Sequence, residues 1–242
     1  MLHGHPPEAE AVRRAAQRAN RTIPIVFGPN ADPVGGGLVA SLAQPGGEIT
    51  GLLWSDLEAK RLEILVETFP RASRIAYLHE PSALPPELSV RAKQAAQAAA
   101  RAANVALDIL EVRRPDEIDA AFKRVSASRV QAIMVQLSPV LLGVRHRIVE
   151  YATRHRIPTI YGDSLFVEEG GLMFYGTPYV DLVRRAAAIV AKVLKGTRPS
   201  EIPVEGPTQF KLMINPKAAR AIGISIPQSI LMRAETIDTV RP

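Results

Sequence analysis

The feature that most constrains the fold is a regular alternation of short apolar, β-branched runs with longer helical segments. Such runs include Ile23–Phe27, Arg74–Leu78, Gln131–Leu137 and Ile157–Tyr161, each bounded by turn-forming residues. Runs of this kind predict buried strands, and strands that alternate with helices predict parallel sheets covered by helices on both faces. We therefore expect an α/β fold. The units are too many for one small sheet, and the turn at Pro70–Ser73 is the expected seam between two sheets.

The loop after the first of these runs has features of a binding loop. Asp32 is a good N-cap and Pro33 suits a first helical position, so Val34–Ala43 is predicted to be a helix. The glycines Gly35–Gly37 carry no side chain, which would let a ligand approach the start of that helix closely. From these residues alone two interpretations stay open. Asp32 either binds a ligand or only caps the helix, with the glycines serving tight packing.

The composition is that of a soluble globular protein and excludes several chemistries. Of 242 residues, 47% are hydrophobic and 22% are charged, and no apolar run reaches the roughly 20 residues of a membrane span. Cysteine is absent, which excludes disulfides, thiolate nucleophiles and cysteine-ligated metals. The formal net charge is +6, but the basic residues are scattered and aromatics are only 5%, so we expect no nucleic-acid partner.

No catalytic constellation is recognisable. The chain lacks a G-x-S-x-G elbow, a P-loop and a G-x-G-x-x-G fingerprint. His3 and His5 could form a metal clip, but no further ligand pattern supports it. His79 and Glu80 are either a polar contact pair or a plainly solvated loop. We predict no catalytic residue, no cofactor and no metal.

Several polar or aromatic residues follow predicted strands at their carboxyl ends. Parallel strands bring these ends to one edge of each sheet, where open α/β sheets bind ligands. The candidate ligand-binding residues are Asp32, Trp54, Ser55, His79, Glu80, Ser138, Asp163 and Tyr175. The pattern predicts a ligand-binding protein with no obvious chemistry of its own.

An ordered set of short motifs is similar to one known family. The motifs are Thr22–Val26, Asp32–Gly35, Gly37–Ala43, Pro45–Gly47, Thr50–Gly51, Ala59–Glu63, Ile157–Gly162, Phe166–Glu168, Gly170–Leu172, Tyr175–Gly176, Leu194–Gly196, Pro203–Glu205 and Pro207–Thr208. Together they resemble the substrate-binding proteins of ABC transporters related to the tryptophan/tyrosine-binding (TrpX-like) group. The resemblance runs from about Arg21 to the C-terminus.

This resemblance implies a type I periplasmic-binding-protein fold. Two Rossmann-like α/β lobes with parallel sheets would be joined by three crossovers, with a ligand in the interlobe cleft. Hinge closure around the ligand would then be recognised by an ABC permease. Carried onto this sequence, residues 1–70 with about 172–197 would form the N-terminal lobe and 73–170 the C-terminal lobe. Residues 198–242 would be a tail spanning the hinge and both lobes.

The family also implies roles for individual residues. Asp32 matches its Asp-Pro motif, and Asp163 falls in its Tyr-Gly-x-x-x-Phe-Val-Glu segment. The family often has Asn-Pro where this chain has Glu80-Pro81, so the contact at Glu80 departs from the pattern. The implied ligand is a small polar or amino-acid-like molecule, with aromatic amino acids among the candidates.

The front of the chain departs from the family. Members carry a secretion signal and further βα units before the helix that matches Pro6–Asn20, so we expect an incomplete first lobe. The family implies a periplasmic location, whereas the sequence as written would stay cytoplasmic. The alternatives to a transporter component are an enzyme on the same scaffold and a cytosolic ligand-sensing module. Without cysteine, two-thiol racemase chemistry is excluded.

Overall fold

The computed structural model describes residues 23–30, 32–207 and 209–237. The chain divides into two compact units, a smaller one of Met1–Asp56 and Thr177–Gln209 and a larger one of Leu57–Gly176 and Phe210–Pro242. These bounds differ from the lobes expected from the sequence. Residues 57–70, 172–176 and 210–237 all belong to the larger unit, because they pack on or pair with its sheet. The predicted helix Pro6–Asn20, His3 and His5 lie outside the described residues.

The secondary structure follows the predicted alternation. The strands are β1 (Ile25–Asn30), β2 (Ile49–Leu53), β3 (Arg74–His79), β4 (Ala106–Glu111), β5 (Ala132–Val135), β6 (Thr159–Tyr161), β7 (Met173–Gly176), β8 (Lys211–Ile214) and β9 (Glu235–Thr236). The helices are α1 (Glu58–Thr68), α2 (Pro86–Ala102), α3 (Ile118–Ala127), α4 (Pro139–Gly143), α5 (Arg145–Arg154), α6 (Leu165–Glu168), α7 (Tyr179–Leu194), α8 (Pro216–Ala221) and α9 (Gln228–Leu231).

The larger unit is built on a seven-stranded sheet in the order β4-β3-β5-β6-β7-β8-β9. Neighbouring strands from β4 to β7 are parallel, while β8 is antiparallel to β7. One face buries its apolar side chains against α3–α6, and the other buries them against α1, α2, α8 and α9. The prediction of a mainly parallel sheet with helices on both faces is therefore confirmed for this unit.

The smaller unit is built on β1 and β2, which pair in parallel from Ile25 and Ile49 onward. One face of this pair packs on Leu38 and Val39, and the other packs on the buried side of α7. Among the described residues of both units, no helix combines the length and apolar character needed to cross a membrane.

The prediction of a helix at Val34–Ala43 is wrong. Residues 33–37 form turns, and no regular helix follows them. Asp32 instead caps the turn, since its Oδ1 accepts a hydrogen bond from the Gly35 amide at 2.7 Å. Three successive glycines make the helical state costly, at about 1 kcal/mol each relative to alanine. Gly37 adopts a positive φ of 68°, which ends the turn.

Candidate functional site

The carboxyl ends of β3, β5, β6 and β7 lie side by side at one edge of the seven-stranded sheet. Open parallel sheets bind ligands at this edge. Five of the residues predicted from the sequence lie there, four of them buried: His79, Glu80, Ser138, Asp163 and the half-buried Tyr175. The structure thus brings these five to a common edge within one unit.

The buried Glu80 carboxylate organises the loops that follow β3 and β5. Its Oε1 accepts a hydrogen bond from the Ser82 hydroxyl at 2.9 Å, and its Oε2 accepts one from the Val140 amide at 3.2 Å. The Glu80 amide donates to Oε1 of Gln136 at 2.7 Å. Glu80 therefore ties the two loops together at the edge of the sheet.

Ser138 caps the short helix α4. Its hydroxyl accepts a hydrogen bond from the Leu141 amide at 3.1 Å, as a serine at this position is expected to do. The side chain is buried, so its role in the structure is to fix the start of α4. Ligand contacts by Ser138 and Glu80 stay predictions.

His79 is fully buried, and both of its ring nitrogens have partners. Nδ1 lies 3.3 Å from the Tyr77 hydroxyl, and Nε2 lies 3.0 Å from the Ser89 hydroxyl of α2. Burial, helped by the nearby Lys93 ammonium, lowers the pKa of His79 to about 4. The imidazole is therefore neutral at neutral pH and fastens β3 to α2. A direct ligand contact by His79 stays a prediction.

Asp163 is a buried carboxylate just past the end of β6, with 3% of its surface exposed. Its Oδ1 accepts a hydrogen bond from the Leu165 amide at 2.8 Å. Burial raises the pKa of Asp163, and the charge of Glu168 acts in the same direction. The Leu165 hydrogen bond and the guanidinium groups of Arg61 and Arg145 oppose that rise. A buried acid placed here is suited to accept a cationic group.

Arg61 is a member of this edge that the sequence analysis missed. Its side chain is 1% exposed, and its Nε donates to the backbone carbonyl oxygen of Tyr175 at 2.9 Å. Its Nη1 lies 2.9 Å from Oε1 of Glu58. A signal was present in the sequence. Glu58 and Arg61 share one helix face with Leu62 and Leu65, and a charge pair inside an apolar face indicates burial.

Two aromatic rings lie beside the same edge. The Tyr175 and Phe210 ring centroids are 6.1 Å apart, and Phe210 is 40% exposed. Because β8 runs antiparallel to β7, the start of β8 lies next to the end of β7. The pair offers an apolar surface close to the polar groups of the edge.

The smaller unit has a carboxyl edge of its own, at the ends of β1 and β2. Buried Asn30 joins the two ends, because its Oδ1 accepts from the Asp32 amide at 2.9 Å and its carbonyl accepts from the Trp54 amide at 2.7 Å. Asp32, Trp54 and Ser55 are all half-buried. The Trp54 side chain packs on the apolar cluster beneath α7. These three predicted residues thus share the edge of the smaller sheet.

No group of three or more histidine, aspartate or glutamate side chains suited to a metal ion occurs within 23–30, 32–207 and 209–237. Both carboxyl edges carry buried or half-buried polar and aromatic side chains at the ends of parallel strands. This arrangement is typical of α/β proteins that bind small molecules.

Residues 6–238 match the family model of the ABC transporter substrate binding proteins, and the chain belongs to that family. The resemblance found in the sequence and the type I periplasmic-binding-protein-like α/β fold that it implied are therefore confirmed.

Individual relatives agree with this assignment. A tyrosine-binding protein of Clostridioides difficile (strain R20291) is 25% identical over 211 residues, which are 86% of this chain and 59% of the relative. The chain thus spans 59% of the length of that curated relative. A conserved domain protein of Vibrio cholerae superposes with a TM-score of 0.80 at 26% identity, over 96% of this chain and 76% of the other. An ABC domain from Streptococcus pneumonia, in complex with L-Trp, gives 0.79 at 26% identity over 96% and 78%.

Proposed function

We propose that this chain is the solute-binding protein of an ABC importer and binds an amino acid at the carboxyl edge of its seven-stranded sheet. Family membership supports the transport role. The names of two relatives support the ligand class, since one is a tyrosine-binding protein and the other was solved with L-Trp. In this role the protein carries its ligand outside the cytoplasm, delivers it to a membrane permease and does not transform it. Hinge closure stays a prediction.

The observation that carries this proposal is the buried Asp163 carboxylate at the end of β6. Free amino acids carry an ammonium group, and a buried ammonium needs an opposite charge and hydrogen-bond acceptors. The Leu165 amide occupies Oδ1 of Asp163, which holds the carboxylate in a fixed orientation. We assign Asp163 the role of accepting the ammonium group of the ligand.

The neighbouring residues complete the proposed site. The rings of Tyr175 and Phe210 offer an apolar contact for the side chain of the ligand, which favours an aromatic amino acid. Glu80, Ser138 and His79 shape the edge by holding its loops in place. Asp32, Trp54 and Ser55 are the corresponding candidates on the smaller unit.

The test is ligand binding by the wild-type chain and by D163N. Thermal unfolding is first recorded with each of the twenty amino acids, because a ligand of the native state raises the unfolding temperature. The best ligand is then titrated calorimetrically, with L-tyrosine and L-tryptophan expected to bind. Loss of a hydrogen bond to a charged group costs about 1.5–3 kcal/mol, so D163N should bind roughly ten- to a hundredfold more weakly.

D116N is the matched control. Asp116 belongs to the same unit, but its carboxylate is mostly exposed and lies 3.3 Å from Nε of Arg114. Such exposed pairs contribute little, so D116N should bind like the wild type. If no amino acid stabilises the wild type, the proposed ligand class is wrong. If D163N binds as tightly as D116N, the role of Asp163 is wrong.

A further inference from the structure

Glu58 and Arg61 form an ion pair that is buried in the first turn of α1. Their side chains are 6% and 1% exposed, with 2.9 Å between Oε1 and Nη1. Removing two such charges from water is costly, and buried pairs often stabilise a protein no better than apolar residues would. Stability alone is therefore a weak explanation for this pair, and the position of the guanidinium indicates a further role.

The guanidinium lies across the end of β7, beside the strand that leads to Asp163. Its Nε donates to the Tyr175 carbonyl oxygen at 2.9 Å, and its Nη2 faces Gly176, where an added Cβ would lie 3.6 Å away. Strands β6 and β7 are adjacent and parallel, so Gly176 and Asp163 are at neighbouring strand ends. Nη1 faces Glu58, so the cation stands between Glu58 and the strand ends.

We propose that Arg61 is a positioning residue for the ligand site, and that its fixed positive charge keeps Asp163 ionised to accept the ammonium group of an amino acid. This inference rests on the proposed function. Arg61 is assigned to act through Asp163: its Nε donates to the Tyr175 carbonyl oxygen, and its Nη1 lies in an ion pair with Glu58. Glu58 and the Tyr175 carbonyl hold the guanidinium in place.

The charges around Asp163 are consistent with this role. Burial and Glu168 raise its pKa, whereas Arg61 and Arg145 lower it. The Arg145 side chain is 36% exposed and donates to Glu169 at 3.0 Å, so water and a second carboxylate screen its charge. Arg61 is also paired with a carboxylate, that of Glu58, but its side chain is shielded from water, so solvent screens its charge less than that of Arg145.

The first measurement is the titration of Asp163 itself, followed by carboxyl ¹³C NMR in the full chain. Removing an opposite charge from the vicinity of a carboxylate raises its pKa, and R61Q should move the titration midpoint upward by about one pH unit. R61K keeps the charge and should restore most of the wild-type midpoint. R145Q is the matched control, with a smaller shift expected because Arg145 is screened.

The second measurement is the affinity for L-tyrosine and L-tryptophan as the pH is lowered stepwise from 8. The pH at which affinity is half lost should rise by the same amount in R61Q, a displacement that a purely structural role for Arg61 would not produce. D163N should bind weakly at every pH. Because R61Q removes the cation that pairs with Glu58, the double variant E58Q/R61Q is measured as well, and its displacement should have the same direction.

The outcomes separate the two proposals. If neither amino acid binds the wild type, the proposed ligand is wrong, while the NMR titration still decides whether Arg61 controls Asp163. If the ligands bind but the Asp163 midpoint is unchanged in R61Q and in E58Q/R61Q, the inference about Arg61 is overturned and the proposed function stands.

Discussion

Acidification should destabilise the larger unit through His79. In the folded protein this imidazole stays neutral down to about pH 4, because burial lowers its pKa from an ordinary value of 6.5. In the unfolded chain it takes up a proton near the ordinary value. Between these two pH values the unfolded chain binds more protons, so the free energy of unfolding falls as the pH is lowered from about 6.5 to about 4.

The size of this effect follows from the difference between the two pKa values. Each pKa unit corresponds to about 1.4 kcal/mol, so the difference at His79 amounts to about 3 kcal/mol between pH 7 and pH 4. Natural domains unfold with about 5–15 kcal/mol in total. One buried histidine therefore accounts for a sizeable part of the acid sensitivity expected here.

Urea unfolding followed by circular dichroism, repeated from pH 7 to pH 4, measures the effect. Carboxylates also titrate in this range, so the quantity of interest is the difference between the wild type and H79Q, whose side chain does not titrate. H79Q should be less stable at pH 7, because it loses the contacts with Tyr77 and Ser89. That gap should narrow steadily toward pH 4.

The control is H146Q, which replaces an exposed histidine and should follow the wild type at every pH. A gap between the wild type and H79Q that stays constant from pH 7 to pH 4 would refute the reasoning.

Two further substitutions test the local structure by urea unfolding. Gly162→Ala should destabilise the larger unit by about 1–3 kcal/mol, because the added Cβ would lie 2.4 Å from the Leu137 backbone nitrogen and the strand end must shift. An unchanged urea midpoint would contradict this close approach. Asn215→Ala should cost about 1 kcal/mol, because Asn215 Oδ1 accepts from the amides of Lys217 and Ala218 at 3.0 Å and caps α8. Asn215→Asp keeps the acceptor and should keep most of the stability that Asn215→Ala loses.

The strands of the larger unit were predictable because local pattern and burial coincide there. The apolar runs at 74–78, 131–137 and 157–161 became β3, β5 and β6, which are covered on both faces. The boundaries between the two units were harder to predict from the sequence. Helix α1 follows a strand of one unit but packs on α2 and the sheet of the other, and only tertiary contacts decide this.

The candidate site was likewise only partly predictable from the sequence. The rule for strand ends found Asp163 without any knowledge of its neighbours. Burial of His79 could not be read from its own sequence position, because one partner, Ser89, projects from a helix that packs on the strand. Arg61 was not among the residues predicted for the site, although it shares a face with Leu62 and Leu65. The sequence evidence for its burial was the spacing of three to four residues, which places the charge pair and these leucines on one face of the helix.

The antiparallel strand β8 has a consequence for how the chain acquires its structure during synthesis. β8 pairs with β7, but between them the chain makes residues 177–209, which belong to the smaller unit. Until residues 211–214 have left the ribosome, β7 exposes a row of unpaired amide and carbonyl groups to other chains. Exposed edges of this kind promote aggregation of folding intermediates. The larger unit therefore completes its sheet only after the returning segment of the smaller unit has been made.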